Sequence, residues 1–94
     1  MTTFEHEGKS YTFKMTRAGI RSAEAQGLNT SEMAEKPLSS LSMLAYAALY
    51  SSYKLSTNKV ATMLDDLLDS GEVEFTDLFE ELSEAYMELF GLGE

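Results

Sequence analysis

The chain of 94 residues contains no cysteine and a single histidine. The absence of cysteine excludes a disulfide scaffold, a thiolate nucleophile and every metal site built on thiolate ligands. Basic residues are also few, since seven Lys and Arg stand against sixteen Asp and Glu and leave a formal net charge of −9. Binding to nucleic-acid phosphates or to anionic membranes requires a basic surface. We therefore expect neither nucleic acid nor membrane among its partners.

Long apolar runs are missing as well. The segment Met1 to Glu7 has no apolar run typical of a secretory signal. The most apolar stretch, residues 37–53, includes five Ser and three Tyr and falls short of the ~20 apolar residues that a membrane span needs. The length suits one domain with one modest core. We expect a single soluble domain spanning residues 1–94.

The charges are unevenly distributed along the chain. Residues 1–59 hold all seven bases and five acids, a net +2, whereas residues 60–94 hold eleven acids and no base, a net −11. Like charges spaced by four on a helix each destabilise it by ~0.2–0.5 kcal/mol. Such pairs recur near the end of the chain, as in Glu80/Glu84 and Glu84/Glu88. This acidic third is either a solvated face that favours solubility or a surface for a basic partner.

The first fifteen residues predict a β-hairpin. Alternating segments at residues 3–7 and 10–15 flank Gly8-Lys9, a pair that suits a two-residue turn with Gly first. That turn sets Phe4 opposite Phe13 and His6 opposite Tyr11. We expect His6 to pack against Tyr11 rather than to act in catalysis.

Four helices are predicted after the hairpin, at residues 16–27, 37–53, 56–70 and 76–90. Thr16, Ser56 and Thr76 are the candidate N-caps. Small residues make the first helix thin, which would let it approach the hairpin. The second helix has no charged residue, a pattern typical of a helix buried on several sides. We predict a mainly α (α+β) fold, with an N-terminal hairpin and about four helices packed around this uncharged central helix.

No pattern indicates an enzyme, a cofactor site or a metal site. A calcium-binding helix–loop–helix starting at Asp66 would place Leu68 at its third position, where a ligand oxygen is required. The single histidine has no Ser or second His placed to complete a nucleophilic group. We expect no catalytic residue, no cofactor and no metal.

A stripe of Met and Tyr residues along the central helix offers a candidate binding surface. Its members recur at spacings of three, four and three: Met43, Tyr46, Tyr50 and Tyr53. They can form the partly solvent-exposed side of the core, or they can form an interface, where Tyr and Met are enriched. If the stripe is an interface, self-association is the use that we favour, so a homo-oligomer is expected.

The order of these parts resembles the tail assembly chaperones of long-tailed (siphovirus-type) phages and prophages of Gram-positive bacteria. The resemblance covers nearly the whole chain and lies in the hairpin, a thin helix closed by Gly27-Leu28, and an acidic last helix. Its most specific part is Pro37 to Leu49, with the sequence PLSSLSMLAYAAL. A further helix opens on Ser56 ahead of Val60 to Asp65.

The resemblance implies a non-enzymatic phage tail assembly chaperone that binds the tape measure protein. Such a chaperone keeps that protein soluble while tail tube subunits assemble, and it acts in the host bacterial cytoplasm without entering the mature virion. The tail tube protein is a second implied partner. An alternative is an acidic protein-binding inhibitor or DNA mimic that occupies a basic groove, with carboxylates replacing phosphates.

The family supplies no active-site residues, so the binding candidates come from the residue patterns alone. For apolar contact they are Met43, Tyr46, Tyr50 and Tyr53. For polar specificity they are Glu80, Glu81, Glu84 and Glu88 on the last helix.

Overall fold

A computed structural model describes residues 3–29, 31 and 35–89 of the chain. Within these residues an antiparallel hairpin is followed by four helices. The elements are β1 (Thr3–His6), β2 (Lys9–Thr12), α1 (Arg17–Ala25), α2 (Pro37–Tyr53), α3 (Thr57–Ser70) and α4 (Phe75–Leu89). The predicted α+β fold is confirmed.

The hairpin turns one residue earlier than predicted. Its central residues are Glu7, at φ 51°, and Gly8, at φ 80°, and two positive φ values in succession are typical of a type I′ turn. The predicted register is therefore wrong by two residues, since Phe4 pairs with Tyr11 and not with Phe13. A shift of two keeps each side chain on its face, so Phe4, Tyr11 and Phe13 are all buried.

The chain leaves the sheet after Thr12 because its next backbone partner lies on the central helix. The Lys14 N–H donates to the Ala48 carbonyl over 2.9 Å. Thr16 then caps α1 by accepting from the Gly19 N–H over 3.0 Å. Residues 14–19 thus run along α2 and do not extend the hairpin.

The thin side of α1 faces α2 and not the hairpin, which corrects the sequence-based expectation. Gly19 is buried so closely against α2 that a Cβ there would overlap the Ala47 carbonyl. The reason lies in the segment before it, which anchors the start of α1 to α2. Here Gly is needed for close approach, since a methyl group would separate the two helices.

The central position of α2 is confirmed. It contacts α1, α3 and α4, as its lack of charge predicts. Its buried residues lie on more than one side of the helix: Ser40, Leu41, Leu44, Ala45, Tyr46, Ala47, Ala48 and Leu49. None of the helices within the described ranges has the length and hydropathy needed to cross a membrane.

The last two helices differ in how closely their starts were predicted. Ser56 caps α3 by accepting from the Lys59 N–H over 3.1 Å, as expected. Thr76 does not cap α4, because the helix already begins at Phe75 and the Leu78 N–H donates to the Glu74 carbonyl over 3.0 Å. The predicted end at residue 90 lies outside the described residues.

Candidate functional site

The outer side of α4 carries an apolar surface that the core leaves uncovered. Phe75, Phe79, Ser83 and Met87 follow each other at intervals of four, so on a helix of 3.6 residues per turn they form one slowly turning row. Together with flanking polar residues they line a shallow depression of about 380 Å³. We call this surface the α4 face; its residues are Phe75, Thr76, Phe79, Glu80, Ser83, Glu84 and Met87.

The α4 face exists because α4 is apolar over more of its circumference than the fold can bury. Leu78 and Leu82 point into the core and are buried. Phe75 and Phe79 are only half-buried and pack on each other with ring centroids 5.7 Å apart. Met87 remains 47% exposed. Ser83 is small, and its position between Phe79 and Met87 leaves the shallow notch in the row.

Carboxylates border the α4 face on its solvent side. Glu80 and Glu84 line the apolar depression and also a second, purely acidic one with Asp77 and Glu81. Two ion pairs elsewhere in the described residues join His6 to Asp66 at 2.8 Å and Lys59 to Glu7 at 3.3 Å, and neither involves Glu80 or Glu84. Glu80 and Glu84 therefore give the border of the α4 face its negative charge.

A smaller cleft lies beside Glu84, between α4 and the end of the hairpin. It measures about 200 Å³ and is formed where the end of the hairpin meets α4. Glu81, Glu84 and Glu88 line it together with Phe13 and Met15. All four predicted glutamates thus stand beside apolar surface, with Glu84 shared between the α4 face and the cleft.

The tyrosine stripe is largely used inside the fold. Tyr46 is 3% exposed, and its hydroxyl accepts from Gln26 Nε2 over 2.7 Å and bonds Ser22 Oγ over 2.7 Å. Tyr53 accepts from the Thr12 N–H over 3.1 Å. Burial removes Tyr46 from the surface open to a partner, because its ring and hydroxyl join α2 to α1.

The other two members of the stripe keep part of their surface. Tyr50 is half-buried, with Lys54 Nζ lying 4.4 Å from its ring centroid. Met43 is also half-buried and lines a small depression beside Leu28. The four predicted residues therefore do not form one continuous binding surface.

His6 connects the hairpin to α3, and it does not lie opposite Tyr11 as predicted. The revised register pairs His6 with Lys9, and its Nε2 lies 2.8 Å from Asp66 Oδ2. In the described part of the chain no group of three acidic or histidine side chains could hold a metal ion.

Tyr86 lies on α4, the helix that carries the α4 face. Burial raises the pKa of its hydroxyl above the ordinary tyrosine value, and the nearby Glu24 carboxylate raises it further. Both effects favour the neutral hydroxyl in the folded protein.

The binding candidates drawn from the sequence do not include Phe75, Phe79 or Met87. The predicted helix at residues 76–90 leaves Phe75 outside it, which hides the row of four. The available signal was the interval of four that joins Phe75, Phe79, Ser83 and Met87, which becomes visible once α4 starts at Phe75.

Fold and site together define a small α+β protein with an exposed apolar face bordered by carboxylates. The chain belongs to the family described as "Domain of unknown function (DUF5055)", whose model matches residues 1–92. Neither the curated proteins nor the solved structures gave a match. The family description names no activity.

Proposed function

We propose that the protein is a non-enzymatic phage tail assembly chaperone that binds the tape measure protein and keeps it soluble while tail tube subunits assemble. The resemblance in motif order, strongest at Pro37 to Leu49, supports the class of protein. The observation that carries the proposal is the α4 face, where half-buried Phe75 and Phe79 and exposed Met87 form one apolar row.

The α4 face suits an apolar helix of the partner. A helix docks by laying residues at intervals of three and four along such a row, and burial of apolar area stabilises the contact by roughly 25 cal/mol per Å². The row at 75, 79, 83 and 87 extends over about three turns of α4. Shielding of exposed apolar helices in this way would prevent their aggregation.

The acidic third of the chain has a matching role. A net charge far from zero keeps a protein and its complexes dispersed, and eleven acids with no base after residue 59 provide it. The proposed setting is the host bacterial cytoplasm, with the chaperone absent from the mature virion. Self-association belongs to the same proposal, with half-buried Met43 and Tyr50 as further apolar contacts.

The rival function, an acidic inhibitor or DNA mimic, would use the outer depression of Asp77, Glu80, Glu81 and Glu84. In that function carboxylates alone would replace the phosphates, and an apolar row beside them would have no role. Exposed Met87 and the two Phe rings beside those acids favour a chaperone instead.

Co-expression with a fragment of the tape measure protein tests the proposal. We expect the wild-type chain to increase the soluble fraction of the fragment and Met87→Ser to reduce that increase. Leu38→Ser is the matched control, because Leu38 is 51% exposed on α2 and lies outside the α4 face. Circular dichroism should give equal melting temperatures for the two variants.

Two results would contradict the proposal. One is a fragment whose solubility the wild-type chain leaves unchanged. The other is equal rescue by Met87→Ser and the wild-type chain, which would exclude the α4 face as the binding surface.

A further inference from the structure

We infer that the α4 face selects a basic amphipathic helix, one whose apolar side is bordered by Lys or Arg. This inference rests on the proposed function and specifies the chemistry of the segment that is bound. It concerns Glu80 and Glu84, which line the same depression as Phe79 and Met87.

The border of the α4 face is complementary in charge to a basic helix. Glu80 and Glu84 are exposed, and no basic side chain within the described residues lies in ion-pair contact with them. A helix that lays its apolar side on Phe79 and Met87 places its flanking residues next to these carboxylates. Lys or Arg there would gain attraction, whereas Asp or Glu would be repelled.

Like charges also repel one another within α4 itself. Glu80 and Glu84 are spaced by four, and so are Glu84 and Glu88, so like charges repel along the solvent side of the helix. Nothing on α4 relieves this, since residues 75–89 contain no Lys or Arg. A cation between Glu80 and Glu84 removes the repulsion, so binding of a basic helix and stabilisation of α4 are linked.

A second copy of this chain is the less suitable occupant. If two α4 faces packed on each other, Glu80 and Glu84 of one copy would stand against the same acidic border of the other. Like-charge contacts of this kind oppose association. The partner is therefore a helix of opposite charge.

Three synthetic peptides test this selection. They share one apolar side with Leu at intervals of three and four, and they carry Lys, Gln or Glu at the flanking positions. Fluorescence anisotropy measures their dissociation constants at low and high salt. We expect the Lys peptide to bind about tenfold tighter than the Gln peptide at low salt. This preference should diminish at high salt because surface charges are screened.

Variants test whether the preference for the Lys peptide arises at the α4 face. Glu80→Gln/Glu84→Gln should reduce binding of the Lys peptide to that of the Gln peptide, and Glu80→Lys/Glu84→Lys should favour the Glu peptide. The control, Asp65→Asn/Asp69→Asn, removes the same charge from exposed positions on α3 and should leave the preference intact. Met87→Ser should weaken the binding of all three peptides, since it removes apolar contact.

The inference is overturned if the Lys and Gln peptides bind equally, or if the α3 control abolishes the preference as fully as the α4 variant does. It is also overturned if sedimentation shows a dimer that Met87→Ser dissociates, because the occupant would then be a second copy. A different result contradicts the proposed function: the tape measure fragment is equally soluble with the wild-type chain and with Met87→Ser. Equal binding of all peptides with intact dependence on Met87 would retain the chaperone and reject only the charge selection.

Discussion

Replacement of Gly19 by Ala tests the packing of α1 on α2. Taken alone, the change should stabilise the protein, because Ala is favoured over Gly inside a helix by about 1 kcal/mol. In the folded chain the new Cβ would overlap the Ala47 carbonyl. Backbone cannot move aside as a flexible side chain can, so the two helices must separate.

The magnitude follows from these two opposing effects. Overpacking a closely packed site destabilises by about 1–3 kcal/mol, and direct overlap with backbone belongs at the upper end of that range. After subtraction of the helix-propensity gain, we expect Gly19→Ala to lower the free energy of unfolding by about 2 kcal/mol. At about 4–8 °C per kcal/mol for a domain of this size, the melting temperature should fall by at least about 8 °C.

Urea unfolding followed by circular dichroism measures the change. Ala18→Gly is the matched control, because Ala18 is exposed on the same helix and its loss of propensity should destabilise by about 1 kcal/mol. A Gly19→Ala variant as stable as the wild-type chain, or more stable, would refute the close contact between α1 and α2.

Two further predictions concern tyrosines. Tyr46→Phe removes the hydroxyl that bonds Ser22 and Gln26 and should lower the free energy of unfolding by about 1–2 kcal/mol; Tyr50→Phe, measured the same way, should change it by less than about 0.5 kcal/mol. Because the pKa of Tyr86 is raised in the folded state, the unfolded chain releases this proton first. Stability should therefore fall as pH rises through the ordinary tyrosine value of about 10, and Tyr86→Phe should show a smaller fall in unfolding titrations between pH 8 and 11.

The bounds of the central helix could be read from the sequence. Pro37 fits the first helical position, and the absence of charge predicts burial on several sides; the helix indeed runs from Pro37 to Tyr53. The bounds of α3 follow from cap chemistry in the same way, because Ser56 is its N-cap and Gly71 is its C-cap. These signals are local, so tertiary context did not override them.

The hairpin register and the α4 face depend on context that the sequence pattern does not contain. Glu7 adopts φ 51°, a conformation that non-glycine residues rarely take, so composition favoured a turn at Gly8-Lys9. On α4, two apolar rows lie side by side, and only packing decides that Leu78 and Leu82 are buried while Met87 is exposed. The hydroxyl partners of Tyr46 lie on a different helix and leave no local signal.

We propose that an apolar helix of the tape measure protein binds to the α4 face. Titration of isotope-labelled protein with a tape measure fragment, followed by NMR of the backbone amides and the Met87 methyl group, tests it most directly. We expect chemical-shift changes to concentrate at Phe75, Phe79 and Met87, with Tyr46 little affected. Changes confined to the region of Met43 and Tyr50, or no changes on saturation with the fragment, would contradict it.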